Sequence, residues 1–347
     1  MEPLLKDCYS YPKIYPKDTE IGIEIEMEGR RLGIKDNKTW LQKGDGSLRG
    51  TENIEYITHG AVKLKDVPKT LDKLLTLTAE TNARFQPSDR CGVHIHINCQ
   101  HLCFSEVFMF MFLYLVLEKV MVGYCGESRE GNLFCLRSVD AEYMIDKMIE
   151  CKRESDLDYL VPNRDLTRYA SVNPGALYKF GSLEFRSLKT PKNFMEIDLW
   201  ARLLHRIKEA SLDFAEPGDV IEQYSMLGEN HFLDAIMTKE YADILRKKVP
   251  DVDQKVLDGI RLTQDIAYTP TINNPETKTK KKKKKKIGRS PVFNNAIDNE
   301  LTPPVWTSTA PNQSLGAIET QAEHQDRALR SQQQYETMQR RREARER

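Results

Sequence analysis

Several short signatures are missing from this chain, and each absence closes a route. There is no Gly-x-x-x-x-Gly-Lys-Ser/Thr loop, so a nucleotide would not be held by a P-loop. No His-Glu-x-x-His pair offers the helical zinc site of the metalloproteases. The seven cysteines are odd in number and form no Cys-x-x-Cys pair, which argues against a disulfide framework and for a reducing, cytoplasmic setting. The opening MEPLLKDCYSYPK carries no apolar run of the secretory type. The most apolar stretch, VFMFMFLYLVL from Val107 to Leu117, is bounded by Glu106 and by Glu118-Lys119. It is shorter than the roughly 20 residues of a membrane span, so it predicts a buried core helix and no span.

Net charge is lacking too, with 52 basic and 52 acidic residues, but the balance hides a division. Residues 270–347 hold 16 Lys+Arg against 9 Asp+Glu, leaving 36 against 43 in residues 1–269. After Tyr268 the chain turns rich in Pro, Asn, Thr and Lys, with an unbroken lysine run from Lys280 to Lys286. Such a segment has little to bury against its ordering entropy and predicts a disordered basic tail. The tail's charge would meet nucleic acid only non-specifically and in a salt-dependent way. Residues 318–347 are helix-forming in composition but have no apolar stripe. We therefore expect one domain over 1–269 and a low-complexity, charged tail over 270–347.

What is present in the first 269 residues is a repeated alternation. In IGIEIEMEG, Ile21, Ile23, Ile25 and Met27 alternate with Gly22, Glu24, Glu26 and Glu28, the period of a strand with one buried face. Carboxylates on alternate residues lie about 7 Å apart and repel unless something neutralises them. The plain reading is a solvent-facing strand, and the chemical reading is a divalent-cation site. The pattern returns in CGVHIHIN, where His94, His96 and Asn98 oppose Val93, Ile95 and Ile97. It returns in GSLEFRSL, with Ser182, Glu184 and Arg186 opposite Leu183 and Phe185, and in ENIEYITHG, with Glu55 opposite Ile54, Tyr56 and Thr58. Four strands of this kind suggest one sheet face that forms a site.

Helical patterns separate the strands. Residues 66–85 place Leu71, Leu74, Leu75 and Thr78 on one face behind Pro68. Asn193 and Glu196 have capping-box spacing ahead of Ile197, Trp200, Leu203, Leu204 and Ile207. Further helical patterns run over 140–151 and 239–264. Strands of hairpin type covered by helices predict an α+β fold with a mainly antiparallel sheet.

The cluster CGVHIHINCQHLC, residues 91–103, raises zinc as an alternative. His94 and His96 suit it, but Cys91 has the opposite parity, and Cys99, His101 and Cys103 follow no standard zinc spacing. Glu24, Glu26, Glu55 and Glu184 are hard oxygen donors better suited to Mg2+ or Mn2+ holding a phosphorylated substrate. Arg168 and Arg186, with Arg90 and Arg137 behind them, offer fixed positive charge for phosphate or carboxylate.

The ordered series GIEIE at 22–26, GDGSL at 44–48, NIEYIT at 53–58, CGVHIHIN at 91–98 and RYASVNP…GSLEFRSL over 168–188 resembles the putative amidoligase family. That family lies in the carboxylate-amine ligase superfamily with glutamine synthetase and glutamate-cysteine ligase. The resemblance implies a glutamine-synthetase-like fold, an antiparallel sheet funnel that holds ATP and Mg2+ or Mn2+. It implies metal ligands at Glu24, Glu26, Glu55, His94, His96 and Glu184, phosphate or acyl-phosphate contacts at Arg186 and Arg168, and a substrate or nucleotide role for Asp45 and Ser47. The implied reaction activates a carboxylate as an acyl phosphate, which an amine then attacks to leave an amide or isopeptide bond. The acid and amine would belong to a small molecule, peptide, protein or cell-wall component. A glutamine amidotransferase partner would supply ammonia, and a phage-encoded member would act in the host cytoplasm. The alternative is a catalytically silent relative that acts as a binding module with a basic tail.

Overall fold

A computed structural model of the chain describes residues 2–132, 135–140, 144–160 and 169–271. Arg168 and the tail beyond residue 271 lie outside the described residues, as do the expectations attached to them. Seven strands form one sheet: β1 (Ile21–Arg30), β2 (Trp40–Lys43), β3 (Glu52–Thr58), β4 (Arg84–Phe85), β5 (Gly92–Asn98), β6 (Val172–Asn173) and β7 (Ser182–Lys189). The order is β2-β3-β1-β5-β7-β6, with β4 paired to the end of β1, and these pairings are all antiparallel.

The register decides what the faces carry. Directly paired residues point to the same side of a sheet. Ile23 pairs with Ile95 and Ile25 with Val93 on one face, while Glu24 pairs with His94, Glu26 with Glu55, and His96 with Glu184 on the other. A shift of one residue in any strand would exchange these sets, so burial of the apolar face fixes the polar one.

Ten helices complete the described residues: α1 (Leu5–Cys8), α2 (Val67–Glu80), α3 (Phe104–Cys125), α4 (Met144–Glu154), α5 (Ala176–Phe180), α6 (Met195–Ser211), α7 (Pro217–Leu227), α8 (Glu229–Met237), α9 (Lys239–Lys248) and α10 (Val252–Tyr268). The mixture is α+β. Helix α3 is buried on every side, which is why its sequence shows no polar stripe. Phe110 and Tyr114 of α3 pack on Phe185 with ring centroids 5.5 and 4.8 Å apart. Tyr124 stacks on Trp200 of α6 at 5.8 Å. Helix α10 crosses α3 so closely that a Cβ on Gly259 would stand 1.9 Å from the Val116 carbonyl oxygen, so only glycine fits there.

Several expected boundaries move. The apolar run read as too short for a membrane belongs to a 22-residue helix that is long and apolar enough to cross one. Burial of 89% of its most apolar window inside the structure, not its length, marks it as a core helix. Helix α2 stops at Glu80 instead of running to 85, because Arg84 and Phe85 are drawn into pairing with β1; Leu75 faces outward and Leu77 inward. The pattern over 239–264 is two helices, broken at Val249 where Pro250 disfavours helical backbone in its predecessor. The capping box at Asn193 does not form. Asn193 Oδ1 accepts from the Met195 N–H at 3.1 Å, and Glu196 turns instead toward Lys248 at 3.7 Å.

Candidate functional site

Four of the strands converge their polar residues at the middle of the open face. Glu24 is the hinge of the arrangement. Its Oε2 lies 3.1 Å from His94 Nδ1, and its Oε1 lies 3.5 Å from His96 Nε2. His94 Nε2 is 3.6 Å from Glu26 Oε1, and His94 Nδ1 is 3.5 Å from Glu184 Oε1. Three overlapping donor groups result: Glu24–His96–Glu184, Glu24–Glu55–His94 and Glu26–Asp45–Glu55, each with its ligand atoms within 4.8 Å of one another. The first two share Glu24 and the last two share Glu55, so the donors form a continuous row.

Burial and charge divide this row. Burial opposes ionisation of Glu24, but the neighbouring imidazoles of His94 and His96 more than offset it and hold the carboxyl well below its usual range. Glu184 is likewise held low against its burial by His96 and Arg186. Burial would lower the His96 pKa, yet Glu24 raises it. Glu26 and Glu55 go the other way: burial pushes both upward, and the Glu24 charge adds to the effect on Glu55. Among the described residues Glu26 is paired with no lysine or arginine. Its Oε2 accepts only the Gly92 N–H, at 2.7 Å. Gly92 has to be small, since a Cβ there would stand 3.2 Å from Glu26 Oε2 and 3.5 Å from His94 Nε2.

Among the described residues two buried nitrogens in the row lack a hydrogen bond of good geometry: His96 Nε2, which only approaches Glu24 Oε1 at 3.5 Å, and Arg186 Nε. An imidazole nitrogen so placed, in one donor group with the carboxylates of Glu24 and Glu184, has the chemistry of a metal ligand. The donor set of carboxylate oxygens with one imidazole suits Mg2+ or Mn2+ better than zinc. The remaining residues of the 91–103 cluster support this. Cys99 is buried and donates to the Ile97 carbonyl, His101 reaches the Tyr15 carbonyl at 2.7 Å, and none of Cys91, Cys99, His101 and Cys103 joins a donor group among the described residues.

The loop between β2 and β3 carries Asp45 and Ser47. An Asx turn shapes it: the Ser47 N–H donates to Asp45 Oδ1 at 2.8 Å. Glu28, the third carboxylate of the alternating strand, is spent here, since its Oε1 accepts the Arg49 N–H at 2.7 Å. Asp45 is brought within reach of Glu26 and Glu55, while Ser47 lines a cleft of ≈300 Å³ together with Lys43, Arg90, Tyr169 and Arg186. A second cleft of ≈250 Å³ opens on the other side of Glu24 and His96. It is mainly apolar, walled by Tyr15, Ile57, Ala61 and Phe180.

Three contributors escape the sequence patterns. Lys43 Nζ donates to Glu55 Oε2 at 2.5 Å, and only its position at the end of a short strand before GDGS hints at it. Asn173 Nδ2 donates to Glu184 Oε2 at 2.7 Å from the neighbouring strand β6. Arg129, 1% exposed, lies beneath the cleft on a turn that follows α3, with no local signal at all.

Fold and site together define an α+β protein with a row of carboxylate and imidazole donors on the open face of an antiparallel sheet, flanked by one cleft of mixed charge and one mainly apolar cleft. Residues 59–207, less than half of the chain, match the family model described as putative amidoligase enzyme; this match supports a putative amidoligase family for the segment and suggests a ligase-type function in general terms. The matched segment contains His94, His96, Glu184 and Arg186, whereas Glu24, Glu26, Asp45, Ser47 and Glu55 precede it. No curated protein matches the chain.

Proposed function

We propose that the chain is an ATP- and Mg2+-dependent carboxylate-amine ligase that forms an amide or isopeptide bond through an acyl phosphate. The observation that carries this reading is the row of donors sharing Glu24 and Glu55, with His96 joined to Glu24 and Glu184 in one group and Arg186 beside Glu184 and His94. Glu24, Glu26, Glu55, His94, His96 and Glu184 would hold Mg2+ or Mn2+, with Asp45 completing the group at Glu26 and Glu55. The metal, when bound, gathers phosphate charge and lets two anions approach each other.

The clefts divide the remaining work. The apolar one, between Tyr15 and Phe180, suits a flat nucleobase. The cleft of mixed charge would take the carboxylate substrate, with Lys43, Arg90 and Arg186 to meet it and Arg186 to stabilise the charge that builds on the transferred phosphoryl group. Attack by the carboxylate oxygen on the γ-phosphorus breaks the bond to ADP. Attack by an amine on the resulting acyl carbon then expels phosphate and forms the amide. Neither step needs a covalent nucleophile from the chain, which agrees with the inert placement of the buried cysteines. Ammonia from a glutamine amidotransferase partner is one source of the amine.

The test is phosphate release from ATP with Mg2+ across amino acids, small peptides and ammonium, beside Glu24→Gln and Glu184→Gln. Turnover that needs both an acid and an amine and vanishes in both variants supports the ligase. An intact fold that neither binds nor turns over ATP would leave a silent binding module.

A further inference from the structure

Strand β7 departs from regular pairing at one place. Ile95 pairs with Phe185 and Val93 with Leu188, so Arg186 and Ser187 together stand opposite His94, forming a β-bulge. The extra residue returns Leu188 to the core while Arg186 stays on the site face with Glu184. Leu188 is 3% exposed. Without the bulge, the strict alternation after Arg186 would carry Leu188 out of the core.

A bulge disrupts the ladder locally, and buried carbonyls need other donors. Arg129 supplies them. Its Nε donates to the Ser187 carbonyl at 2.8 Å and its Nη2 to the Arg186 carbonyl at 2.9 Å, while Nη1 reaches the Asp89 carbonyl at 3.3 Å. From the other edge the Arg186 N–H donates to the Ser171 carbonyl at 2.9 Å. Arg129 Nη2 also lies 3.5 Å from the Cβ position of Gly92, the same point that Glu26 and His94 crowd. The guanidinium thus lies beside the donor row, at the wall of the same cleft, and forms no ion pair with it among the described residues. Three nitrogens in a rigid fork serve three carbonyls on two segments, which a lysine with one nitrogen cannot reproduce.

We propose that Arg129 is a positioning residue for Arg186: its fork holds the Arg186–Ser187 bulge and so sets the direction in which the Arg186 side chain faces the site.

Two readouts test this, one of which rests on the nucleotide reading above and one of which does not. The first is the affinity of Mn2+ with a non-hydrolysable ATP analogue, by calorimetry, for wild type, Arg129→Lys, Arg129→Ala, Arg186→Ala and the Arg129→Ala/Arg186→Ala double variant. Each single variant is expected to weaken binding about tenfold, the double variant no more than Arg186→Ala alone, and added guanidinium to restore Arg129→Ala. The second is hydrogen exchange of the segment 182–189, expected to quicken in both Arg129 variants while α3 and β5 stay protected. Additive losses in the double variant, or wild-type affinity and exchange in Arg129→Lys and Arg129→Ala, would overturn the proposal. If wild type binds no nucleotide, the ATP reading fails by itself, and exchange alone decides Arg129: unchanged protection at 182–189 refutes it. Should Arg129→Ala not fold, Arg129→Lys gives the same comparison.

Discussion

Two acidic clusters lie at the two ends of one stretch of chain and meet opposite fates. Glu20, just before β1, faces His205 and Lys208 of α6; Lys208 Nζ donates to Glu20 Oε1 at 2.5 Å and to the Asn98 carbonyl at 3.0 Å. Burial opposes its ionisation, but His205 and Lys208 prevail and bring its pKa down to about 2. Six residues on, Glu26 has His94 at 3.6 Å but pairs with no lysine or arginine among the described residues, and burial prevails and pushes its pKa up. The first cluster is closed by the chain's own charges and fastens α6 to the sheet. The second is answered unevenly: Lys43 meets Glu55 and Arg186 meets Glu184, while burial still pushes Glu26 and Glu55 upward.

The largest effect should come from breaking the open cluster. Glu24→Gln and Glu26→Gln are each expected to lower ATP-dependent phosphate release by about 10²–10³-fold, the scale at which lost electrostatic stabilisation shows in turnover. Glu26→Gln should do so with no fall in melting temperature, because burial already disfavours the charged carboxylate there. Glu20→Gln should behave in the opposite manner, keeping turnover per folded molecule while lowering the melting temperature. If Glu20→Gln abolishes turnover in a folded protein, the division between the clusters fails.

Next in size is the cost of opening the closed cluster. Lys208 is 7% exposed, and Lys208→Met leaves the half-buried Glu20 with His205 as its remaining cationic partner. Removing one partner of a buried pair costs about 3–5 kcal/mol. Urea unfolding would measure it, and a loss below about 1 kcal/mol would show that the pair is no better than a surface ion pair.

A smaller effect should come from filling the open cluster. Mg2+ or Mn2+ at about 100 times its dissociation constant would add roughly 2.7 kcal/mol to stability. The gain should disappear with EDTA and in Glu24→Gln, and persist in Glu20→Gln. Equal gains in all three proteins would place the cation elsewhere.

Much of the open cluster was legible because strand parity is a local property. Alternation in IGIEIEMEG and CGVHIHIN was enough to put Glu24, Glu26, His94 and His96 on one face, and the same alternation hides the other faces in the core. Parity could not reveal Lys43, Asn173 or Arg129, whose roles depend on which strands and turns become neighbours. Nor could it separate Glu28 from Glu26, since only the return of the 44–51 loop gives Glu28 its N–H partner. The bulge in β7 was equally hidden: GSLEFRSL reads as a regular strand until β5 fixes what opposes it. The closed cluster left no pattern, because Glu20 and Lys208 are far apart in sequence and meet only through packing of α6.

The two clusters should also separate by pH. In the metal-free protein Glu26 and Glu55 hold protons in the folded state at pH values where the unfolded chain has released them, since their folded pKa values lie above the ordinary 4.5. Their contribution to stability therefore falls as pH rises from about 4.5 through those raised values. Glu20 acts with the opposite sign: its contribution is complete above 4.5 and is lost as pH falls toward about 2, and Glu24 and Glu184, also held low, act in the same direction. Unfolding free energy measured in EDTA should thus climb on leaving acid and then sag, and the sag should lessen in Glu26→Gln while the acid limb stays. Added Mg2+ should remove the sag altogether, because a cation at these carboxylates binds better as they lose their protons. A sag that survives both Glu26→Gln and saturating Mg2+ would mean that the proton-holding groups lie outside the open cluster.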